Sequence, residues 1–294
     1  MTTPLITIGL PVYNARPFLE DTLRSVFAQT VTDWELLAVD DGSTDGSGAF
    51  LAQLRDPRVH VLLEKENRGL AARLNFIHAH ARGRYIARMD ADDMMHPERL
   101  ARQLAFLERN SGIDVLGCSL VSLGHASEPK GARVYPAEHE QLMGTAVVGP
   151  LLCHATVIAR AEWWRRFRYN ESNRGCEDLE LWLAAHRSSR FANLPDLLYY
   201  YREYASFLLA KYLRNRAHVA RVAWRERQNG ILPALVDVAA HLARGGVYVG
   251  ATALGLRDRL IARRSAALAP AEREACIAAI ARIRATPLPM PGKP

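Results

Sequence analysis

The first hundred residues alternate between short β-rich apolar runs and amphipathic stretches of about three turns, close to the usual helix length. "LITIGLPVYN", "WELLAVDD", "RVHVLLEKE" and "RYIARMD" predict four strands. "PFLEDTLRSVFAQT", "TDGSGAFLAQLR" and "GLAARLNFIHAHA" predict the helices between them. Such alternation builds βαβ units with right-handed crossovers, hence an α/β fold with a mixed, mainly parallel sheet flanked by helices. Ligands of these sheets bind beyond the carboxyl ends of the strands. Four polar clusters fall at those ends: "LPVYN", "DDGSTD", "ENRG" and "DADD".

Residues 113 to 204 are less regular. "IDVLGCSLVS" and "HATVIAR" read as strands, "EDLELWLAAH" as a helix, and "FANLPDLLYYYREY" as a last strand with an aromatic ladder. On a helical wheel Leu179, Trp182, Leu183 and His186 form the expected core stripe, with Asp178 at its edge and Glu177 nearly opposite. From Ser206 the pattern is mostly helical, interrupted at Pro233 and Gly245–Gly246. "PAEREACIAAIARIR" opens with proline in its first turn and early glutamates, a good helix start. The ending "PLPMPGKP" reads as a disordered tail. The expected division is an α/β domain over 1–204, a helical basic region over 205–286, and a disordered tail over 287–294.

Charge sharpens that division. The net +7 of the 294 residues is uneven: from Ala205 onward 15 Lys/Arg face 5 Asp/Glu, while the first 204 residues hold 23 against 26. A near-neutral body with a basic extension implies two kinds of surface. The longest uncharged stretch of the extension, "GGVYVGATALGL", has 12 residues and cannot span a bilayer, which needs about 20. "FLLAKYLRNRAHVARVAWRERQ" fits a helix lying on an anionic membrane surface, or one packed on the body with its arginines in water. Nothing resembles a nucleic-acid reading motif. Cys118, Cys153, Cys176 and Cys276 show neither zinc spacing nor a disulfide framework and suit a reducing cytoplasm. "MTTPLITIGL" lacks the basic and apolar regions of a secretory signal.

The acidic clusters carry the candidate chemistry. In an extended segment Asp90 and Asp92 share one side and Asp93 the other. Two carboxylates at a strand end suit Mg2+ or Mn2+ held jointly with substrate phosphates. The competing reading is an Asp-rich turn before a helix opened by Pro97. In "VDDGSTDGS", Ser43, Thr44 and Asp45 are natural caps, whereas Asp40 and Asp41 are not needed for capping and could accept from a base or ribose. In "CEDLELWL", Asp178 could point into a cleft, or both acids could complement the helix dipole. No G-x-G-x-x-G and no P-loop occurs.

Taken together, "TIGLPVYNARPFLEDTLRSVFAQTVTDWELLAVDDGSTDGS", "ENRGLAARLN", "GRYIARMDADDMMHPERL" and "CEDLELWL" resemble a family 2 glycosyltransferase of the GT-A fold, over roughly residues 4 to 204. The resemblance implies that Pro11 and Tyr13 lie against the nucleotide base and that Asp41 hydrogen-bonds it. It implies Arg68 near the phosphates with Arg73 as a second, Asp90 toward the ribose, Asp92 on the metal and Asp178 as catalytic base. Asp40 and Glu177 are further candidates. His154 stands where relatives have "HPT" or "HPS"; here "HAT" leaves a structural histidine as an equal reading. A "QxxRW"-type signature is absent after "ED", which argues for transfer of a single sugar. The implied partners are a nucleoside-diphosphate sugar, UDP favoured, and a glycan, glycolipid or protein acceptor, in the cytoplasm or on the inner face of the membrane. A phosphatase would carry its D-x-D after the first strand, and a pyrophosphorylase would need a glycine- and arginine-rich first loop. A non-catalytic nucleotide-sugar binder or scaffold is the remaining alternative.

Overall fold

The computed structural model describes residues 3–144, 152–172, 175–226 and 231–291. Nine strands form one sheet: β1 (Ile6–Val12), β2 (Trp34–Asp40), β3 (Val59–Leu63), β4 (Tyr85–Arg88), β5 (Met94–Met95), β6 (Val115–Leu123), β7 (Pro129–Arg133), β8 (Ile158–Arg160) and β9 (Phe191–Tyr201). Their order is β3-β2-β1-β4-β8-β6-β9-β5, with β7 beside β6. Around the sheet lie α1 (Arg16–Phe27), α2 (Ser47–Leu51), α3 (Leu70–His80), α4 (Arg99–Arg109), α5 (His139–Gly144), α6 (Ala161–Arg166) and α7 (Glu177–Ala185). The chain then continues through α8 (Glu203–Ser206), α9 (Leu209–Glu226), α10 (Ile231–Ala253), α11 (Arg257–Ala262) and α12 (Pro270–Ala285).

The first four predicted strands are β1 to β4, all parallel neighbours. Every position of β1 is buried, because helices cover both faces of a parallel sheet and leave no polar side. Leu19, Leu23 and Val26 of α1 and Leu100, Leu104 and Leu107 of α4 join Ile8, Leu10 and Leu36 in one core. On the other face Leu74, Trp163, Trp164, Trp182 and Phe191 form a second. At Gly9 a Cβ would lie 2.7 Å from Ile77 Cγ2, so only glycine lets α3 seat this closely on the strand.

Beyond β4 the sheet turns mixed, since β8 joins β4 and β6 antiparallel. β6 and β9 run parallel, but their pairing jumps from Cys118↔Leu194 to Ser119↔Leu197. Pro195, which has no N–H to give the ladder, sits in that jump.

Several expectations need correction. The second predicted helix shrinks to the five residues of α2, beginning after Gly46 in the left-handed region. "HATVIAR" divides into a 3-10 turn at His154–Thr156 and the short β8. Of the expected α7 stripe Trp182 is buried and Leu183 packs partly buried on the same core, while Leu181 and Ala185 take the fully buried places in place of Leu179 and His186. Leucine at 179, 181 and 183 made two wheel orientations equally apolar, and the indole of Trp182 stacked on Trp163 decides between them.

The C-terminal region is not a free appendage, and the tail is not loose. α9 and α10 form a hairpin, Ala266 bridges to Ala132, and Cys276, Ile280 and Ile283 of α12 pack with Met94, Val121 and Tyr200. Leu288 and Met290 pack on the core beneath α1, and the Arg55 N–H donates to the Pro289 carbonyl at 2.7 Å. Prolines deny this stretch a helix but not a docking site. Residues 292–294 of the expected disordered tail lie outside the described residues.

Candidate active site

β1 and β2 end in register at Val12 and Asp40, and β4 ends beside them at Arg88. Past this edge Pro11 is buried while Tyr13 stands 52% exposed, an open ring face. Asn14, in the left-handed region at φ 49°, donates its N–H to Ser43 and accepts from the Thr44 N–H. Asp45 takes the Arg16 and Ser47 N–H groups and so ties this loop to the start of α1, although the N-caps of α1 and α2 are Ala15 and Gly46.

Asp40 and Asp41 are both buried. Asp40 Oδ2 accepts the Ser43 N–H at 3.2 Å. Asp41 accepts the Arg68 and Gly69 N–H groups, each at 2.9 Å, and is paired with the Arg73 Nε at 2.5 Å. Its carboxylate therefore sits at the start of α3, where the helix dipole favours an anion. Arg73 is buried and spent on Asp41, Glu64 and the Glu66 carbonyl. Arg68 instead turns outward, 61% exposed, with Glu171 at 3.4 Å.

The "DADD" stretch is a turn rather than a strand end, with the Asp93 N–H facing the Asp90 carbonyl. Side-chain alternation therefore lapses. Asp90, Asp92 and Asp93 each offer a carboxylate oxygen within 4.8 Å of the others, and Asp93 is not sent to the far side. Asp93 is fully buried and accepts the Arg202 N–H at 2.8 Å. The Arg202 guanidinium donates to the Asp92 carbonyl and to Asp21, each at 2.7 Å. Burial, then Asp90, pushes the Asp92 carboxyl up to about 6, with Lys211 and Arg202 opposing. Burial, then Asp92 and Asp90, hold Asp93 well above the usual range.

Arg88, fully buried, pairs with Asp90 at 2.7 Å. Burial alone would weaken its charge, but Asp90, Tyr169 and Tyr199 more than offset that and raise its pKa. Its Nε and Nη1 have no hydrogen-bond partner among the described residues. Asp178, in the first turn of α7, is in phase with Leu181, Trp182 and Ala185 and is half-buried at the open end of that face. Burial, then Glu177, pushes its carboxyl up to about 6, and Arg88 pulls against them. Arg88 thus lies within electrostatic reach of both acidic sites. Glu177 stays half-buried beside Asp178. His154 pairs with the Tyr169 hydroxyl at 2.6 Å, and burial, then Arg88, holds it far below the usual histidine range and neutral.

Sequence reasoning missed Arg88, Tyr169, Arg202 and Lys211. Arg88 had a signal: a charge inside the apolar run "GRYIARM", in strand phase with Asp90, must find a partner. The others had none, because they reach the site from segments 79 to 121 positions beyond Asp90 in sequence. Lys211 comes from α9, which lies over the Asp178 loop: Cys176 Sγ meets the Asn215 carbonyl at 3.5 Å and His218 meets Glu180 at 3.5 Å.

The profile of Glycosyl transferase family 2 matches residues 7–172, more than half of the chain. EpsE of Bacillus subtilis (strain 168), named as a glycosyltransferase, is 34% identical over 207 residues, which cover 68% of this chain and 73% of EpsE. S. aureus TarS 1–349 in complex with UDP-GlcNAc matches with a TM-score of 0.59 and 19% identity, over 85% of this chain and 75% of that one. The mannosyltransferase PcManGT from Pyrobaculum calidifontis, in complex with GDP-Man and Mn2+, matches with a TM-score of 0.60 and 19% identity, over 96% and 86%. At such identities the two structures speak for the fold alone, and that fold is GT-A. On the family match and the EpsE likeness together, the chain belongs to glycosyl transferase family 2.

Proposed function

We propose that the protein moves a single sugar from a nucleoside-diphosphate sugar to a hydroxyl acceptor, with inversion and with Mn2+ or Mg2+, in the building of a surface polysaccharide or glycolipid. The observation that carries this reading is a division of labour around Arg88. Near it stand three clustered carboxylates and, in the first turn of α7, a half-buried carboxyl raised to about 6. The first suits a cation and a diphosphate, and the second suits a proton acceptor.

The residues fit a divalent ion. Asp90, Asp92 and Asp93 repel one another in a buried turn, and a cation would relieve that repulsion. Asp92 would hold it, with Asp90 beside it toward the ribose. When bound, such an ion stabilises negative charge on the departing diphosphate.

The chain's own residues do the rest. Tyr13 and Pro11 receive the base, while Asp41 fixes the "ENRG" loop and keeps a free lone pair on Oδ2 for a base N–H. Arg68 faces the phosphates. Arg88 holds Asp90 in place, and its spare donors serve the sugar end of the donor. Asp178 accepts the acceptor hydroxyl's proton as that oxygen attacks from the face opposite the leaving group, so one displacement inverts the anomeric carbon. A carboxyl near 6 is ionised at neutral pH yet basic enough to take the proton. His154, neutral and held by Tyr169, positions the wall beside Arg88, and Asp40, Arg73 and Glu177 support rather than touch substrate.

UDP is favoured by the TarS complex, and the GDP-Man of PcManGT makes guanosine the base to test against it. EpsE supports a transferase role, and the four free cysteines suit the cytoplasm. Among the described residues no helix is long and apolar enough to cross a membrane. The test is a panel of UDP- and GDP-sugars, scored by nucleoside diphosphate released with and without Mn2+. Metal-dependent release, and a product of inverted configuration by NMR, are expected. Release that ignores EDTA, or retention of configuration, overturns the reading.

A further inference from the structure

The hairpin of α9 and α10 ends in a surface that the transfer reaction does not use. α10 spans 23 residues, about 34 Å of helix. Leu235, Val236, Leu242, Val247, Val249 and Leu254, on α10 and just past it, are each between 45% and 74% exposed. At 100° per residue they fall within one arc of about 160°. Ala239, Ala243, Gly246 and Gly250 fill that arc and are also exposed, so no charged side chain interrupts it. Asp237 and Arg244 both lie on the other side of the helix. A water-facing helix normally shows the reverse, with charge outward and the apolar stripe inward.

The rim of this face is basic and aromatic. On α9, Arg214, Arg221 and Trp224 share the exposed stripe. Arg221 and Trp224 meet Val238 and Leu242 of α10 across a groove of about 350 Å³. Arg259 of α11 and Arg263 just past it are exposed nearby in sequence. An uncharged helical face bordered by arginines and an exposed tryptophan matches a bilayer interface, where apolar groups enter the acyl boundary and cations meet anionic headgroups. A second copy would bring an equal positive charge to the same contact, since the region from Ala205 carries 15 Lys/Arg against 5 Asp/Glu.

We propose that the α9–α10 hairpin seats the protein on an anionic membrane, with the Leu235–Leu242–Val249 stripe in the acyl boundary and Arg214, Arg221 and Trp224 at headgroup level. The contact is independent of sugar transfer and is measured without donor or acceptor. It would hold the α9 end that carries Lys211, and with it the Asp178 loop, close to a lipid-borne acceptor.

Tryptophan gives a direct readout. Of the five tryptophans, Trp34, Trp163, Trp164 and Trp182 are at most 5% exposed, whereas Trp224 is 41% exposed. The full chain is mixed with phosphatidylcholine vesicles with or without about 30% phosphatidylglycerol, at low and high salt. Co-sedimentation only with the anionic vesicles is expected, together with quenching of Trp224 by bromine-labelled acyl chains that disappears in Trp224→Phe. Leu242→Glu and Val249→Glu, at exposed positions and checked for an unchanged melting temperature, should each weaken partitioning about tenfold or more. Three outcomes overturn the proposal: no binding to anionic vesicles at low salt; binding that both glutamate variants retain and bromine lipids do not quench; or a dimer in light scattering that the variants break while vesicles go unbound.

Discussion

Residues 6–89 and residues 90–285 build the two sides of one cleft by opposite means. On the first side the buried acid Asp41 is held by residues of the early βα units. Asp41 takes its donors from Arg68, Gly69 and Arg73, 27 to 32 positions away, within two successive strand–helix units. On the second side the anchors of the acidic turn are distant in sequence. In the acidic turn the Asp90 N–H donates to the Tyr199 hydroxyl and Asp93 accepts the Arg202 N–H, each partner 109 positions away, and Arg202 itself is anchored to Asp21 across 181. Nucleotide-facing parts can therefore form as soon as their βα units do. The turn at 90–93 acquires its geometry only when the last strand and the C-terminal helices are in place. The largest test of this contrast removes chemistry from the second side and leaves the first intact. Asp178→Asn should lower the transfer rate by about 10² to 10⁴, the usual worth of a general base, while donor affinity in calorimetry stays within about twofold. An Asn variant that still turns over, or one that loses the donor, breaks the division.

The next test cuts the long-range clamp. Arg202 has a 2% exposed side chain whose guanidinium joins Asp21, the Asp92 carbonyl and Ser127. Arg202→Ala should cost about 3 kcal/mol in urea unfolding, in the range for breaking a largely buried pair. Arg202→Lys keeps a charge but not the planar fork. It should fold, raise the Mn2+ concentration needed for half-maximal rate, and change KM for the donor more than kcat. If Arg202→Lys changes only stability, the arginine merely holds the fold and does not shape the turn.

This contrast also explains what could be read from the sequence. The four parallel strands and the polar clusters at their ends were legible because period and spacing act within about thirty residues. Asp90, Asp92 and Asp178 were legible as types at motif positions. The turn that gathers Asp93 with Asp90 and Asp92 was not, because alternation presumes an extended chain and Arg202 ends it. Nor was the phase of Asp178 on α7, since leucines at 179, 181 and 183 gave the helix two equally apolar faces and burial fell to Leu181 and Ala185 beside Trp182. Arg88 alone was legible and passed over, as a charge set in a buried run.

A smaller effect separates the same carboxyl's two roles. Burial raises Asp178 from the ordinary 3.8 to about 6. A raised folded-state pKa means that protonation favours the folded chain, so its stabilisation is complete at low pH and is lost as pH rises through 6. Activity runs the other way, because the base must be ionised. The expected kcat/KM falls about tenfold per unit below pH 6. In the same pH range Asp178→Asn should raise the melting temperature at about pH 7.5 by up to several degrees, and the gain should shrink toward pH 4. A gain that is constant with pH would mean the carboxyl is not buried as a charge at neutral pH.

The smallest effect concerns the tail, where the two halves of the chain meet again. Leu288 and Met290 lie on the core formed by β1, β2 and α1, and Arg24 reaches back to the carbonyls of Arg284 and Thr286. Each of the two side chains is half-buried, so each contributes about 1 kcal/mol of apolar burial, offset in part by the entropy of ordering the segment. A chain ending at Thr286 should therefore melt a few degrees lower, at about 2–4 °C per kcal/mol. Its rate, its metal requirement and its vesicle binding should not change, because the tail touches the donor-side core and none of the acidic turn, Asp178 or α10. An unchanged melting temperature would return residues 287–291 to the status of an unanchored end. A lost metal requirement would instead show that the donor side depends on long-range contacts too, and the contrast between the halves would fail there.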